Sequence, residues 1–208
     1  NELLFIYLHS AVPQEEQESM WQAAMEFMHL NGAKLPSLND PRYLPSDKAQ
    51  SWHILDWCMT GHRSPCISSE CVGSTWKIET LLKFTKSLKE TRLNMSSLLE
   101  IVDPKQHAKY INATNNKSTL AYRHLLRACN QDAFLGCVIG NGRCRNHRDW
   151  CDMFRALSCM TPLGHFVGGD IVLPQLGVRI PYQVGNLFMC STQMLEHFIT
   201  EYAADRKS

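Results

Sequence analysis

The feature that most constrains this chain is the way its C-terminal third breaks its apolar residues into short, turn-bounded stretches. An apolar run over residues 134–139 ends at Gly140-Asn141-Gly142, a turn signal. Leu176, Val178, Ile180 and Tyr182 then alternate with Gln175, Gly177, Arg179 and Pro181, the two-residue period of a half-buried strand. Val184-Gly185-Asn186 turns the chain into the wholly apolar 187–190, and Leu195, His197 and Ile199 share one face of a further strand. Many short strands joined at Gly and Pro predict a sheet folded on itself as a sandwich or barrel.

The preceding residues have a different rhythm. Met20, Trp21, Ala24, Phe27 and Met28 have helical spacing and predict a helix over 14–30. Pro36, Pro41 and Pro45 make 31–51 a long loop. A second helix is expected over 75–88, with Ile78, Leu81, Leu82, Thr85 and Leu88 on one side. Composition shifts near residue 98, where the apolar 98–102 is followed by Asp103-Pro104. Asp suits a helix N-cap and Pro the first helical position, so a helix should run from there to about residue 113. Leu120, Ala121, Leu125 and Cys129 predict another over 118–129. The reading is α+β, with a helical and irregular region over 1–95 and a strand-rich core over 96–208.

Of the 208 residues 44% are hydrophobic and 20% charged, which excludes a mainly disordered chain. A net charge of +1 gives no global pull toward polyanions, so nucleic-acid binding would have to come from a local patch. No apolar run approaches a membrane span of about 18 residues, and 3–8 is too short and too poor in basic flank for a secretory signal. Nine cysteines without regular spacing read as reduced thiols of an intracellular protein. The sequons at Asn94, Asn112 and Asn116 weigh little against that. A first residue of Asn rather than Met suggests a fragment.

Chemistry concentrates at His147-Arg148-Asp149. Residues i and i+2 of a strand share a face, so an imidazole and a carboxylate would stand side by side. Two histidines and a carboxylate are the ligand set of non-haem Fe(II) oxygenases. The third ligand must come from elsewhere, and His197 lies 48 residues after Asp149 on an expected strand. Taken alone the triplet is weak, since about 0.4 such matches are expected by chance in this composition. A surface Asp beside a capped His would then be preferred. The kinase H-R-D reading fails because no Asn follows at the required offset and no Gly-rich loop or D-F-G exists. A second group, Cys58, His62, Cys66 and Cys71, offers four soft ligands for zinc within 14 residues, but without a C-x2-C knuckle incidental thiols are favoured.

The triplet is followed in order by Gly168-Gly169-Asp170-Ile171-Val172-Leu173-Pro174, the Gly185-Asn186 turn, His197, and Arg206-Lys207-Ser208. In that order the chain, over about 98–208, resembles the Fe(II)- and 2-oxoglutarate-dependent dioxygenases, whose core is a double-stranded β-helix (jelly roll). It looks most like the fungal TET/JBP-like oxygenases, in which a D-P-initiated helix precedes the core. The blocks that carry this are GGDIVLPQLGVRIPY and LEHFIT. The resemblance implies that His147, Asp149 and His197 hold Fe(II). It also implies that 2-oxoglutarate places its far carboxylate on Arg206 and Ser208, and that O₂ takes the remaining position. Guanidinium and hydroxyl suit a carboxylate; composition alone would read Asp205-Arg206-Lys207 as a solvated tail. His165 departs from the pattern and reads as a lining or surface residue. The chain ends where a final strand would still be running, so the core is expected to be truncated there.

Several functions remain open. A pyrimidine methyl group in nucleic acid is the substrate the resemblance suggests, and a nuclear location would follow if the substrate is DNA. A protein side chain is the alternative substrate, and a non-catalytic jelly-roll binding module or a zinc-organised interaction domain are alternatives of another class. Arg143, Arg145, Arg148 and Arg155 surround the triplet and suit an anionic partner or, equally, a solvated edge. Trp21, Trp52, Trp57 and Trp76 read as packing residues.

Overall fold

The computed structural model describes residues 3–32, 42–43, 49–57, 66–69, 74–116, 133–134, 136–141 and 144–204. Its strands are β1 (Phe5–Leu8), β2 (Gln50–Trp57), β3 (Cys66–Ile67), β4 (Gly136–Asn141), β5 (Ser158–Met160) and β6 (Phe166–Gly168). They continue as β7 (Ile171–Leu173), β8 (Val178–Ile180), β9 (Leu187–Cys190), β10 (Phe198–Ile199) and β11 (Tyr202–Ala204). The helices are α1 (Gln14–Asn31), α2 (Thr75–Ser87), α3 (Lys89–Val102) and α4 (Pro104–Asn116). The class is α+β, as expected. The chain divides into two compact units, one of residues 1–21, 35–50 and 140–208 and one of 22–34 and 51–139. No helix among the described residues is long and apolar enough to cross a membrane.

The first unit is built on antiparallel sheets ordered β1-β9-β5, β10-β7-β8 and β11-β6. β9 is the central strand of its sheet, between β1 and β5 with Phe5 and Ser158 both opposite Cys190, and all four of its residues are buried. That explains its unbroken apolar sequence, since a central strand covered on both faces has no solvent side to alternate with. Ile171, Leu173 and Ile180 from the second sheet join Phe188, Cys190 and Leu195 in one apolar core. The two three-stranded sheets therefore share a hydrophobic layer.

Asn186 ties the N-terminal strand to this layer. It is buried, its Nδ2 donates to Tyr7 Oη (2.8 Å) and the Pro181 carbonyl (3.3 Å), and its Oδ1 accepts from the Ser10 amide (2.9 Å). A buried amide satisfied on both ends specifies one pairing of β1 without leaving an orphan polar group.

The hairpin glycines behave as the sequence predicts. Gly168 and Gly169 adopt φ of +87° and +80°, and a Cβ on Gly168 would lie 2.6 Å from the carbonyl oxygen of Glu201, the residue before β11. The alternating stretch 175–182 is a different matter. Pro174–Leu176 forms a 3-10 turn, Gly177 ends it at φ +62°, and only Val178–Ile180 is strand. Proline has no amide to donate and glycine reverses the chain, so local backbone chemistry overrides the apolar period.

In the second unit α1 contributes Phe27, whose ring stacks on Phe84 of α2 with centroids 5.9 Å apart. Asp103 caps α4 as its sequence implies, accepting the Gln106 amide on Oδ1 at 2.9 Å, with Pro104 as first helical residue. α3 has no counterpart among the sequence expectations. Its buried face includes Thr91, Arg92 and Ser96, polar residues that blur the helical period. Arg92 donates to the Phe134 carbonyl and Ser96 accepts the Ala133 amide at 3.1 Å, which is what lets them be buried. The expected helix at 118–129 and most of the loop at 31–51 lie outside the described residues.

Gly168→Ala should destabilise the protein by about 2 kcal/mol or more, through positive φ and a backbone clash together. Gly177→Ala meets open space, leaving the φ cost alone, about 1 kcal/mol. Urea unfolding of both variants checks the difference, and equal losses would contradict it.

Candidate metal centre

His147 and His197 are joined by an isolated antiparallel bridge. The His147 amide donates to the His197 carbonyl (3.1 Å) and the His197 amide returns the bond to the His147 carbonyl (2.9 Å). Two residues on, the Asp149 amide donates to the Thr192 carbonyl at 3.1 Å. The segment around His147 is thus irregular chain held by one isolated bridge and the Asp149 bond, not the strand that the sequence predicts. The turn before His197 likewise leaves only Phe198–Ile199 as strand. The expected convergence of the three side chains is nevertheless present.

Asp149 lies between the imidazoles, with His147 Nε2 3.5 Å from Oδ1 and His197 Nε2 3.5 Å from Oδ2. The rings are tilted by 50° with centroids 4.4 Å apart, and the donor atoms of the three residues all lie within 4.8 Å of one another. Each ring is oriented through its other nitrogen. His147 Nδ1 is 2.8 Å from the Arg145 carbonyl oxygen, and His197 Nδ1 is 3.1 Å from that of Leu195. A carbonyl only accepts, so Nδ1 must carry the proton in both rings, and in the neutral tautomer the lone pair is on Nε2. Both Nε2 atoms face the same carboxylate. This backbone orientation leaves two nitrogens and one oxygen as hard-to-borderline donors, and the set fits a first-row divalent cation.

Electrostatics couple the three. Burial lowers the pKa of His147, but hydrogen bonds to Asp149, Cys144 and the Arg145 carbonyl outweigh it and raise the value to about 10. Burial likewise opposes ionisation of Asp149, and hydrogen bonds and charge from His147 and His197 more than reverse it, holding the carboxyl well below the usual range. Arg42 adds a further cation, its Nη1 3.5 Å from Asp149 Oδ1. Burial and the charges of Asp149 and Asp152 push the Cys190 thiol up to about 12. It stays protonated, a core residue and a poor metal ligand.

Nothing in the sequence marks Asp152 as part of the site. Its Oδ2 accepts from Ser158 Oγ (2.6 Å) and from Thr192 Oγ1, and its amide donates to the Asp149 carbonyl at 3.0 Å. Thr192 therefore holds Asp149 by its carbonyl and Asp152 by its hydroxyl, and the turn 149–152 is pinned at both ends. Of the other expected residues, His165 is exposed, 3.9 Å from Glu18 and edge-on to Trp21, and it is not one of the three clustered donors. Arg206 and Ser208 lie outside the described residues, as do Cys58, His62 and Cys71 of the zinc grouping, whose fourth member Cys66 belongs to β3.

No protein-family model matches the chain, and no curated protein matches it in sequence. Solved structures do match. The fold is similar to that of NgTET1. A structure of NgTET1 in complex with 5mC DNA aligns over 98% of this chain and 69% of that chain, with a TM-score of 0.67 and 11% sequence identity. At that identity the likeness is one of fold.

The His147–Asp149 pair has a pH signature in the metal-free protein. A folded pKa of about 10 against an ordinary 6.5 gives stabilisation fully present below 6.5 and lost progressively as pH rises through 10. Asp149, shifted down, stabilises above the ordinary carboxylate range and loses its contribution as pH falls below it. Urea midpoints measured with chelator from pH 6.5 to 10 should fall more steeply for the wild type than for Asp149→Asn. Parallel profiles would contradict the coupling.

Proposed function

We propose that the protein is an Fe(II)- and 2-oxoglutarate-dependent dioxygenase with a double-stranded β-helix core, acting on the methyl group of a modified pyrimidine in nucleic acid. The observation that carries the reading is the pair of imidazoles whose Nδ1–H groups are tied to backbone carbonyls while both Nε2 atoms face one aspartate. The fold similarity to NgTET1, whose structure holds 5mC DNA, supports both the core and the substrate class.

His147, Asp149 and His197 would hold the iron, and Arg206 with Ser208 would bind the far carboxylate of 2-oxoglutarate. Iron and 2-oxoglutarate, when bound, would let O₂ put one oxygen atom into a substrate C–H to give C–OH and the other into succinate as 2-oxoglutarate loses CO₂. The protein contributes the rest. The carbonyls of Arg145 and Leu195 keep the imidazoles turned toward the carboxylate, and the bonds to Thr192 keep Asp149 in place. The apolar layer of Ile171, Leu173, Phe188 and Leu195 excludes water from the interior of the sheets. A base inside a duplex is out of reach of such a site, so the target nucleotide must be extruded or single-stranded.

Anaerobic addition of Fe(II) and 2-oxoglutarate should produce a weak visible charge-transfer band that is absent in His147→Ala and His197→Ala. Incubation with methylated DNA in air should yield oxidised cytosine by nucleoside mass spectrometry, with succinate formed in equal amount. No band from the full chain contradicts the oxygenase reading. Succinate formed on a peptide library with unchanged nucleosides moves the substrate to a protein side chain.

A further inference from the structure

The turn that follows Asp149 exposes an unusual amount of apolar surface. Trp150 is 71% exposed, Phe154 63% and Met153 50%, three large side chains within five residues of a segment that also supplies two of the clustered donors. Exposed apolar residues scattered singly need no explanation, but a cluster beside a candidate active site does.

The cluster is organised. The guanidinium of Arg148 lies 4.9 Å from the centroid of the Trp150 ring, and that of Arg155 lies 5.2 Å from the centroid of Phe154. Each aromatic residue is therefore paired with an arginine on its face. The backbone beneath is fixed: Trp150 N–H donates to the Arg148 carbonyl (3.1 Å), and Ala156 N–H to that of Met153 (3.0 Å). Gln193 Nε2 holds the Trp150 carbonyl at 3.2 Å. Arg155 adopts φ of +63°, a conformation that costs a non-glycine residue energy.

The carboxylates of the same segment are already engaged. Residues 144–155 contain Arg145, Arg148 and Arg155 against Asp149 and Asp152. Asp149 is engaged by two imidazoles and Arg42, and Asp152 by the hydroxyls of Ser158 and Thr192. Glu196 partners Arg148 at 3.4 Å and accepts from Asn146 at 2.9 Å. Flat rings alternating with guanidinium groups suit a strand of unstacked bases on a phosphate backbone, because every base has a π-face and every linkage a negative charge.

We propose that residues 148–155 form a base-stacking platform for single-stranded or locally opened nucleic acid, with Trp150 and Phe154 stacking on bases that flank the target nucleotide and Arg148 and Arg155 meeting its phosphates. This rests on the oxygenase reading for its purpose but not for its chemistry. Stacking on flanking bases would offset the cost of opening the duplex.

Fluorescence anisotropy with fluorescein-labelled DNA 12-mers, single-stranded and duplex, tests it on the full chain. The wild type should prefer the single strand. Trp150→Ala and Phe154→Ala should each weaken that binding about tenfold, with the salt dependence unchanged because no phosphate contact is lost. Trp150→Phe should recover most of the affinity, and melting temperatures check that each variant is folded. Retention of wild-type affinity by the double alanine variant, or no oligonucleotide binding by the wild type, overturns the proposal. The anaerobic Fe(II)/2-oxoglutarate band of the wild type separates the two readings. Its absence with the affinity losses intact removes the oxygenase and leaves the platform, and its presence without them does the reverse.

Discussion

One pair of backbone hydrogen bonds, exchanged between His147 and His197, makes the rest of the site possible. These residues are 50 positions apart, and no helix or long strand connects them. A bonded antiparallel pair fixes two Cα atoms at about 5.5 Å. That separation is close enough for two rings on the same side to share a carboxylate. Everything that supports the bridge therefore supports the site. Thr192, just past the end of β9, accepts the Asp149 amide, and β10 follows His197 directly into pairing with β7. The wholly buried β9 and the core beneath β7 are the rigid elements from which the two halves project.

The same arrangement sets the chemistry. A histidine whose Nδ1 faced solvent would sample both tautomers and several rotamers, and much of its affinity for a cation would go into ordering it. Here backbone carbonyls remove that freedom in both rings. Without a cation, Asp149 ionises early and His147 holds its proton to high pH, so the group is an ion pair of low conformational freedom. A metal bound here would replace the shared proton rather than organise loose side chains.

Much of this was legible in the sequence because the residues involved act locally. Asp103-Pro104 caps a helix wherever it occurs, and Gly168-Gly169 is needed where a carbonyl passes too close for a side chain. The triplet at 147–149 gained meaning from the ordered glycines and histidine downstream. What could not be read depends on tertiary partners. α3 hides its period because Arg92 and Ser96 are buried against backbone groups more than 35 residues away. The 3-10 turn at Pro174–Leu176 mimics a strand in its apolar spacing. Asp152 becomes important only because the fold brings Ser158 and Thr192 to it. Trp150 and Phe154 stand out only once their exposure is known.

X-ray absorption at the iron edge, on the full chain loaded anaerobically with Fe(II), tests the central assignment most directly. The expected spectrum contains only nitrogen and oxygen neighbours, with outer-shell scattering from two imidazoles that falls to one in His197→Ala. A sulfur neighbour at about 2.3 Å would mean that a cysteine thiolate holds the metal. That result, or scattering unchanged by loss of His197, would contradict a centre built from His147, Asp149 and His197.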